Sequence, residues 1–210
     1  MCLVGRNLET LEAVSSSCAK KKSGNFSFYQ IDLGIDEDIR LFARKLQKEF
    51  SAIDILVHSA GVISFGNVEE SNIEDFDRDY QINVRAPYLL TQTLLPMLKI
   101  RCGQIVFINS SLGVSVKAGF GSYAAAKHAL KGIADNLREE VNVDGLRILS
   151  VFLGRTATPM QELVHKMEGK AYRPEYLVQP EDIAAIVINA LSLPRTVEVT
   201  DIYVRPLKQP

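Results

Sequence analysis

Three side chains suited to proton transfer lie in the middle of the chain: Ser110, Tyr123 and Lys127. Because Tyr123 and Lys127 are four residues apart, a helix places them on one face, one turn from each other. A nearby ammonium favours the phenolate and lowers the pKa of a tyrosine, which is ordinarily about 10. The pair therefore suits an acid/base that exchanges a proton with an oxygen atom. Ser110 adds a hydroxyl donor for that oxygen while charge develops on it.

The residues around these three side chains predict a strand, a turn and a helix, in that order. Residues 105–108 form a short apolar run rich in β-branched side chains, which is typical of a buried strand, and Ser110 follows its carboxyl end. Glycines then break the pattern, and an alanine-rich helix begins near Tyr123. A tyrosine beside a lysine is common by chance, but this context indicates a site.

This stretch resembles the active site of the short-chain dehydrogenase/reductase family, and the likeness continues along the chain. Residues 53–61, Ile-Asp-Ile-Leu-Val-His-Ser-Ala-Gly, resemble the family's fourth strand and its Asn-Asn-Ala-Gly motif. Residues 82–84, Ile-Asn-Val, match the helix that carries the family's catalytic asparagine. Residues 153–158, Leu-Gly-Arg-Thr-Ala-Thr, resemble the Pro-Gly stretch after the sixth strand. Several separate motifs in the family's order make the resemblance specific.

The resemblance implies an enzyme that interconverts a carbonyl and a secondary alcohol by hydride transfer with a nicotinamide cofactor. Tyr123 would transfer the proton, and Lys127 would lower the pKa of Tyr123 and bind the nicotinamide ribose. Ser110 would polarise the carbonyl, and Asn83 would complete a proton relay. The implied cofactor-binding residues are Arg6, Asp32, Leu33, Ser59, Ala60, Gly61, Tyr123, Lys127, Gly154, Thr156 and Thr158.

Arg6 bears on the choice of cofactor. It follows the first predicted strand, where an acidic residue would bind an adenosine ribose and an arginine would suit a 2′-phosphate. No acid stands at that point, so the resemblance favours NADP(H) over NAD(H). The alternative is that Arg6 is a solvated charge beside the start of a helix. In the motif of residues 53–61, His58 and Ser59 replace the family's two asparagines. The contacts that the backbone of this loop would make with the cofactor are kept, whereas contacts through an asparagine side chain are lost.

The family's opening strand and glycine-rich turn, Thr-Gly-x-x-x-Gly-x-Gly, have no counterpart in the sequence. Backbone amides of that turn hold the cofactor pyrophosphate. In the resemblance, the absent strand lies between the first strand of this chain and the one near Ile53. Either the natural protein starts upstream of Met1, or the chain is a non-catalytic binding or scaffold relative. The intact catalytic residues favour the first explanation.

Composition excludes several other classes. The 210 residues are 47% hydrophobic and 23% charged, which predicts one globular domain over residues 1–210. A net charge of −1 leaves no basic footprint for nucleic acid, and no apolar run reaches the ~20 residues of a membrane span. The three cysteines are an odd number without paired spacing, so we expect a reducing, cytoplasmic location and no disulfide. No metal-ligand spacing is present, so we expect no metal.

Strands and helices alternate along the chain. This order predicts an α/β fold: a Rossmann-like, doubly wound parallel sheet in three α/β/α layers, without the family's first strand. The predicted strands are residues 1–4, 26–31, 53–57, 105–108, 146–152 and 200–204. The predicted helices are residues 7–19, 36–50, 72–101 with an interruption near Pro87, 123–143, 160–167 and 181–191.

Two of these helices, residues 72–101 and 123–143, are more apolar than solvated helices need to be. In the resemblance they form a subunit interface, so we expect a homodimer or homotetramer. The expected substrate is a small-molecule carbonyl or alcohol, which the sequence does not identify further.

Overall fold

A computed structural model describes residues 1–21 and 25–207, with side chains for residues 1–18 and 25–207. Strands and helices alternate along this part of the chain. The strands are β1 (Cys2–Gly5), β2 (Ser27–Gln30), β3 (Ile55–His58), β4 (Gln104–Ser110), β5 (Arg147–Leu153) and β6 (Asp201–Val204). The α-helices are α1 (Leu8–Lys21), α2 (Asp36–Glu49), α3 (Ile73–Tyr80), α4 (Ala86–Lys99), α5 (Gly121–Val141), α6 (Pro159–Met167) and α7 (Pro180–Leu191).

All strand pairs are parallel, and they form two separate sheets. One sheet contains β1 and β2, and the other has the order β3-β4-β5-β6. Within residues 1–21 and 25–207, no strand pairs with the second edge of β1 or of β3. The resemblance places the family's first strand at this position. The α/β architecture with parallel strands and flanking helices confirms the predicted fold class.

Strands β4 and β5 are buried on both faces, which explains their nearly continuous apolar sequence. Side chains alternate across a strand, so Ile105 and Phe107 enter one core cluster while Val106 enters another. The first cluster contains residues of α2, α4 and α5, and the second contains residues of α7. The sheet is therefore covered by helices on both faces.

The predicted apolar face of α2 is confirmed. Its buried residues are Ile39, Phe42, Ala43 and Leu46. They share a core cluster with Tyr29 of β2 and with the buried side of α4. Helix α2 consequently packs the β1–β2 sheet against the rest of the protein.

The interruption expected near Pro87 is a π-helical turn just before it. The turn spans Gln81–Arg85 between α3 and α4, and the Ala86 N–H donates to the Gln81 carbonyl five residues back. Proline has no N–H, and Pro87 lies in the first turn of α4, where this loss is tolerated. The chain thus continues from α3 into α4 in one helical direction, and Asn83 lies in the wider π-helical turn between them.

None of the helices in residues 1–21 and 25–207 combines the length and the apolar character that crossing a membrane requires.

Candidate active site

The predicted site residues cluster where strands of the parallel sheets end. Ligands of open α/β sheets bind at this edge, outside the carboxyl ends of the strands. Residues that follow or end strands β1 to β5 include, in chain order, Arg6, Asp32, Leu33, Ser59, Ala60, Gly61, Ser110, Gly154, Thr156 and Thr158.

Helix α5 supplies Tyr123 and Lys127, and both side chains are buried. Their exposed fractions are 7% and 4%. The Lys127 Nζ lies 5.6 Å from the centre of the Tyr123 ring and 3.4 Å from the carbonyl oxygen of Ile108, to which it donates. The Lys127 ammonium therefore lies near the carboxyl end of β4, with the Tyr123 ring beside it.

Asn83 lies in the π-helical turn with 1% of its surface exposed. Its Nδ2 donates to the carbonyl of Val62 at 2.9 Å, and its Oδ1 accepts from the Val62 N–H at 3.2 Å. A Cβ at Gly61 would lie 2.9 Å from the Asn83 Oδ1 and 3.7 Å from the Lys127 Nζ. The loop after β3 can approach both side chains this closely only because residue 61 is glycine.

Asn109 fixes the position of Ser110, and sequence analysis missed it. Its Oδ1 accepts from the Ser110 N–H at 2.7 Å, and its buried Nδ2 donates to the Lys127 carbonyl at 3.2 Å. The end of β4 is thus tied to α5 beside the predicted catalytic residues. The sequence feature that could have identified Asn109 is an amide side chain near the end of an otherwise apolar strand, directly before Ser110.

Burial dominates the protonation of the Tyr123–Lys127 pair. It raises the pKa of Tyr123 to about 12, although the Ser110 side chain acts in the opposite direction. It lowers the pKa of Lys127 to about 8. The expectation that the ammonium would lower the pKa of Tyr123 is therefore wrong for this structure. The physical reason is that desolvation of the buried phenolate is the largest influence on the Tyr123 pKa.

A cleft of about 550 Å³ opens at Gly61, which neighbours Asn83 and Lys127, but Ser110, Tyr123, Lys127 and Asn83 are not among its lining residues. Three predicted cofactor-binding residues line it: Arg6 after β1, Asp32 after β2 and Gly61 after β3. Residues that the sequence analysis did not select complete the lining, namely Gly34, Val62, Ile63, Arg78, Gln81, Ile82, Met160 and Leu163. Met160 and Leu163 belong to α6, so this short helix forms one wall of the cleft.

The remaining predicted cofactor residues make contacts within the protein. Leu33 packs partly buried against the core. The Thr158 Oγ1 caps α6 by accepting from the Gln161 N–H at 3.2 Å, and the Thr156 Oγ1 donates to the Gly154 carbonyl at 3.1 Å. These bonds fix the path of the chain after β5.

The motif after β3 departs from the family at His58 and Ser59. His58 stacks on Phe107 with 4.9 Å between ring centres, and its Nε2 lies 2.8 Å from the Thr91 Oγ1. Burial lowers the pKa of His58 to about 3, so the imidazole is neutral near pH 7. This environment gives His58 a structural role. Ser59 and Ala60 are exposed in the loop that follows.

Helix α6 is fastened at its carboxyl end by Glu168. The Glu168 carboxylate accepts from both Lys117 and Arg155, the latter at 2.6 and 2.9 Å. Although burial acts to raise the pKa of Glu168, hydrogen bonds from these two cations lower it to about 2. The segment that walls the cleft is therefore anchored to two loops.

No group of three or more His, Cys, Asp or Glu side chains in the described ranges is arranged to hold a metal ion. Cys2 and Cys102 are exposed, Cys18 is partly buried, and all three are free thiols.

A doubly wound parallel sheet that gathers a serine, a tyrosine, a lysine and an asparagine at its carboxyl edge is the architecture of a Rossmann-type oxidoreductase. The family model for short chain dehydrogenases matches residues 1–169. The chain therefore belongs to the short-chain dehydrogenase family and is an oxidoreductase.

Individual relatives agree with this assignment. The uncharacterized oxidoreductase YciK of Escherichia coli (strain K12) is 31% identical over 192 residues, which cover 89% of this chain and 73% of YciK. A short chain dehydrogenase of Escherichia coli CFT073, solved in complex with NADPH, is 28% identical with a TM-score of 0.88, covering 96% of this chain and 84% of that one. A metagenomic short-chain oxidoreductase in complex with NADP is 25% identical with a TM-score of 0.83, covering 99% and 86%.

Proposed function

We propose that this protein is an NADP(H)-dependent oxidoreductase that interconverts a small-molecule carbonyl and a secondary alcohol. The observation that carries the proposal is the buried Tyr123–Lys127 pair on α5, whose ammonium donates to the Ile108 carbonyl of β4 and neighbours Gly61 at the wall of an open cleft. We place its activity in the cytoplasm, a reducing compartment in which free thiols such as Cys2 and Cys102 persist.

The residues present fit the adenosine end of a nicotinamide dinucleotide and its nicotinamide ribose, whereas the glycine-rich turn that would hold the pyrophosphate has no counterpart in the sequence. The cleft runs from Arg6 and Asp32 to Gly61, where the absence of a side chain lets Asn83 and Lys127 pack against the wall of the cleft. Arg6 is exposed at the far end, where its guanidinium suits a phosphate. The relatives solved with NADPH and with NADP support the same class of cofactor for this chain.

A bound nicotinamide supplies or accepts the hydride. The protein supplies the proton and positions the oxygen that receives it. In reduction, Tyr123 donates its phenolic proton to the carbonyl oxygen, and in oxidation the phenolate removes the proton of the alcohol. Ser110 donates a hydrogen bond to the same oxygen while negative charge develops there. Lys127 would bind the nicotinamide ribose, and Asn83 holds the loop after β3 against Lys127.

The choice of cofactor can be tested by titrating the protein with NADPH and with NADH while cofactor fluorescence is followed. We expect saturable binding of both and an approximately tenfold preference for NADPH. The physical reason is that a guanidinium–phosphate hydrogen bond contributes about 1.5–3 kcal/mol. Arg6→Ala should remove the preference and leave NADH binding unchanged.

Arg101→Ala is the matched control, because this exposed arginine precedes β4 at the opposite edge of the sheet. Absence of saturable binding of either cofactor would contradict the oxidoreductase proposal and favour a scaffold. Equal affinities in the unaltered protein would contradict only the preference for NADP(H).

We further propose that the protein is a homodimer or homotetramer. Helices α3 and α4 expose three aromatic side chains, Phe76, Tyr80 and Tyr88, although aromatic residues are seldom left in water. Phe76 and Tyr80 stack on each other and form a small apolar patch. Light scattering at micromolar concentration should report a multiple of the chain mass, and Tyr88→Asp should shift it towards the monomer. A monomer throughout the concentration range would refute this assembly.

A further inference from the structure

Asp79 is a buried carboxylate that the proposed mechanism does not use. It lies on α3 with none of its surface exposed. Its Oδ1 accepts from the Ser64 Oγ at 2.9 Å, and its Oδ2 accepts from the Ser64 N–H at 3.2 Å and from the Ser122 Oγ at 2.8 Å. Burying a carboxylate is costly even with such partners, so its place inside the protein calls for a functional reason.

The contacts of Asp79 connect it to the predicted catalytic residues. Ser122 directly precedes Tyr123 in the first turn of α5, so its bond to Asp79 holds that turn against α3. The Asp79 carbonyl accepts from the Asn83 Nδ2 at 2.9 Å. The negative charge of Asp79 also acts on both Lys127 and Tyr123.

We propose that Asp79 is a positioning residue: the anchor that fixes Tyr123 through Ser122, and the buried counter-charge to Lys127. Its role in turnover rests on the function proposed above, whereas its electrostatic coupling to Lys127 does not. The arrangement adds a carboxylate, held by two serines, to the proton-transfer residues.

The direction of the coupling follows from charge. A carboxylate favours the ammonium over the amine and disfavours the phenolate, so the charge of Asp79 raises the pKa of both Lys127 and Tyr123. Its neutralisation should lower both pKa values. Other titratable groups on the surrounding elements are Arg78, which donates to the Ser64 Oγ at 3.0 Å, and Asp75, which pairs with Arg78, both on α3. His128 follows Lys127 on α5, and His58 on β3 is neutral near pH 7.

Asp79→Asn is the appropriate variant because an amide can keep the network. The amide oxygen can accept from the Ser64 N–H and from Ser122. The amide NH2 can donate to the Ser64 hydroxyl, which then accepts this hydrogen bond instead of donating it. Lysine labelled with ¹³C at Cε and tyrosine labelled at Cζ report the two ionisations by NMR, with Lys127→Met and Tyr123→Phe identifying the signals. We expect the titration midpoint of Lys127 to fall by about one pH unit, a tenfold change in its ammonium-to-amine ratio.

Asp75→Asn is the matched control. Asp75 lies on the same helix, and its carboxylate pairs with Arg78 at 3.1 Å in a more exposed position, so its loss should leave the Lys127 midpoint in place. An unchanged midpoint in Asp79→Asn, or an equal shift in both variants, would overturn the proposal.

Two further measurements keep the test decisive. If Asp79→Asn does not fold, Ser122→Ala tests the anchor, because it removes the bond to the Asp79 Oδ2 at 2.8 Å: kcat should fall at an unchanged KM, and an unchanged kcat overturns the proposal. In the folded variant, the acidic limb of the pH profile for alcohol oxidation should move to lower pH as the pKa of Tyr123 falls. The NMR titrations need no cofactor, so a failure of the coupling is distinguishable from a failure of the proposed activity.

Discussion

Replacing Tyr123 by phenylalanine should reduce turnover by about 10³-fold or more and leave the fold intact. The substitution removes the phenolic oxygen, and with it the proton that the carbonyl oxygen must receive. General acid–base catalysis contributes typically about 10²–10⁴-fold, and no other phenol was found four residues before a lysine. Initial rates of NADPH consumption with a panel of small carbonyl compounds measure the effect.

The phenylalanine variant should remain a good cofactor binder. The ring of Tyr123 is buried among its neighbours and lies under the Lys127 ammonium, and phenylalanine keeps that shape. Its midpoint of thermal unfolding and its NADPH titration should therefore stay close to those of the unaltered protein. Tyr88→Phe is the control, because Tyr88 is exposed on α4 and should tolerate loss of its hydroxyl. An active Tyr123→Phe protein would refute the assignment of the proton donor.

Lys127→Met should abolish turnover and make the protein more stable. Lys127 is almost fully buried, and the lowering of its pKa to about 8 shows that the fold disfavours its charged form. A methionine fills a similar volume without that desolvation cost. The shift corresponds to about 3 kcal/mol near pH 7 and already includes the attraction to Asp79, so only the lost hydrogen bond from Lys127 to the Ile108 carbonyl, about 1–2 kcal/mol, is subtracted. We expect a net gain of about 1–2 kcal/mol in the free energy of unfolding.

The pH dependence separates this effect from a general improvement in packing. Below about pH 8 the ammonium is charged in the folded and in the unfolded protein, and its full burial cost destabilises the fold. Between about pH 8 and 10.5 the unfolded chain holds the proton while the folded protein releases it, so stability rises with pH. Urea unfolding at pH 7 and at pH 9.5 should show a rise for the unaltered protein and a smaller one for Lys127→Met. A variant that is less stable at pH 7 would contradict the argument.

Local patterns were sufficient to predict the strand–turn–helix unit that carries Ser110, Tyr123 and Lys127. An apolar run, glycines and alanine-rich helical spacing each depend on neighbours in sequence, and α5 begins within two residues of the predicted start. The apolar face of α2 was equally accessible, since helical periodicity alone defines it.

Other features depend on residues distant in sequence. Asp79 looks like an ordinary helix carboxylate until Ser64 and Ser122 are brought to it. The high pKa of Tyr123 results from burial, which residue spacing does not report. Ile55 and Val57 of β3 show the same limit. Their apolar strand sequence predicts burial, but both side chains are exposed, because exposure depends on what packs beside the strand.

The division of the strands into two sheets affects how the protein responds to its ligand. In the described residues, no backbone ladder joins β1 to β3, so cohesion across this seam comes from α2 packing on α4 and from polar contacts such as Arg85 with Asp36. The cleft crosses the seam, with Arg6 and Asp32 on one side and Gly61 on the other. A dinucleotide bound there would contact both sides of the seam. By mass action, each tenfold excess of ligand over its Kd then suppresses local opening of the seam by a further ~1.4 kcal/mol.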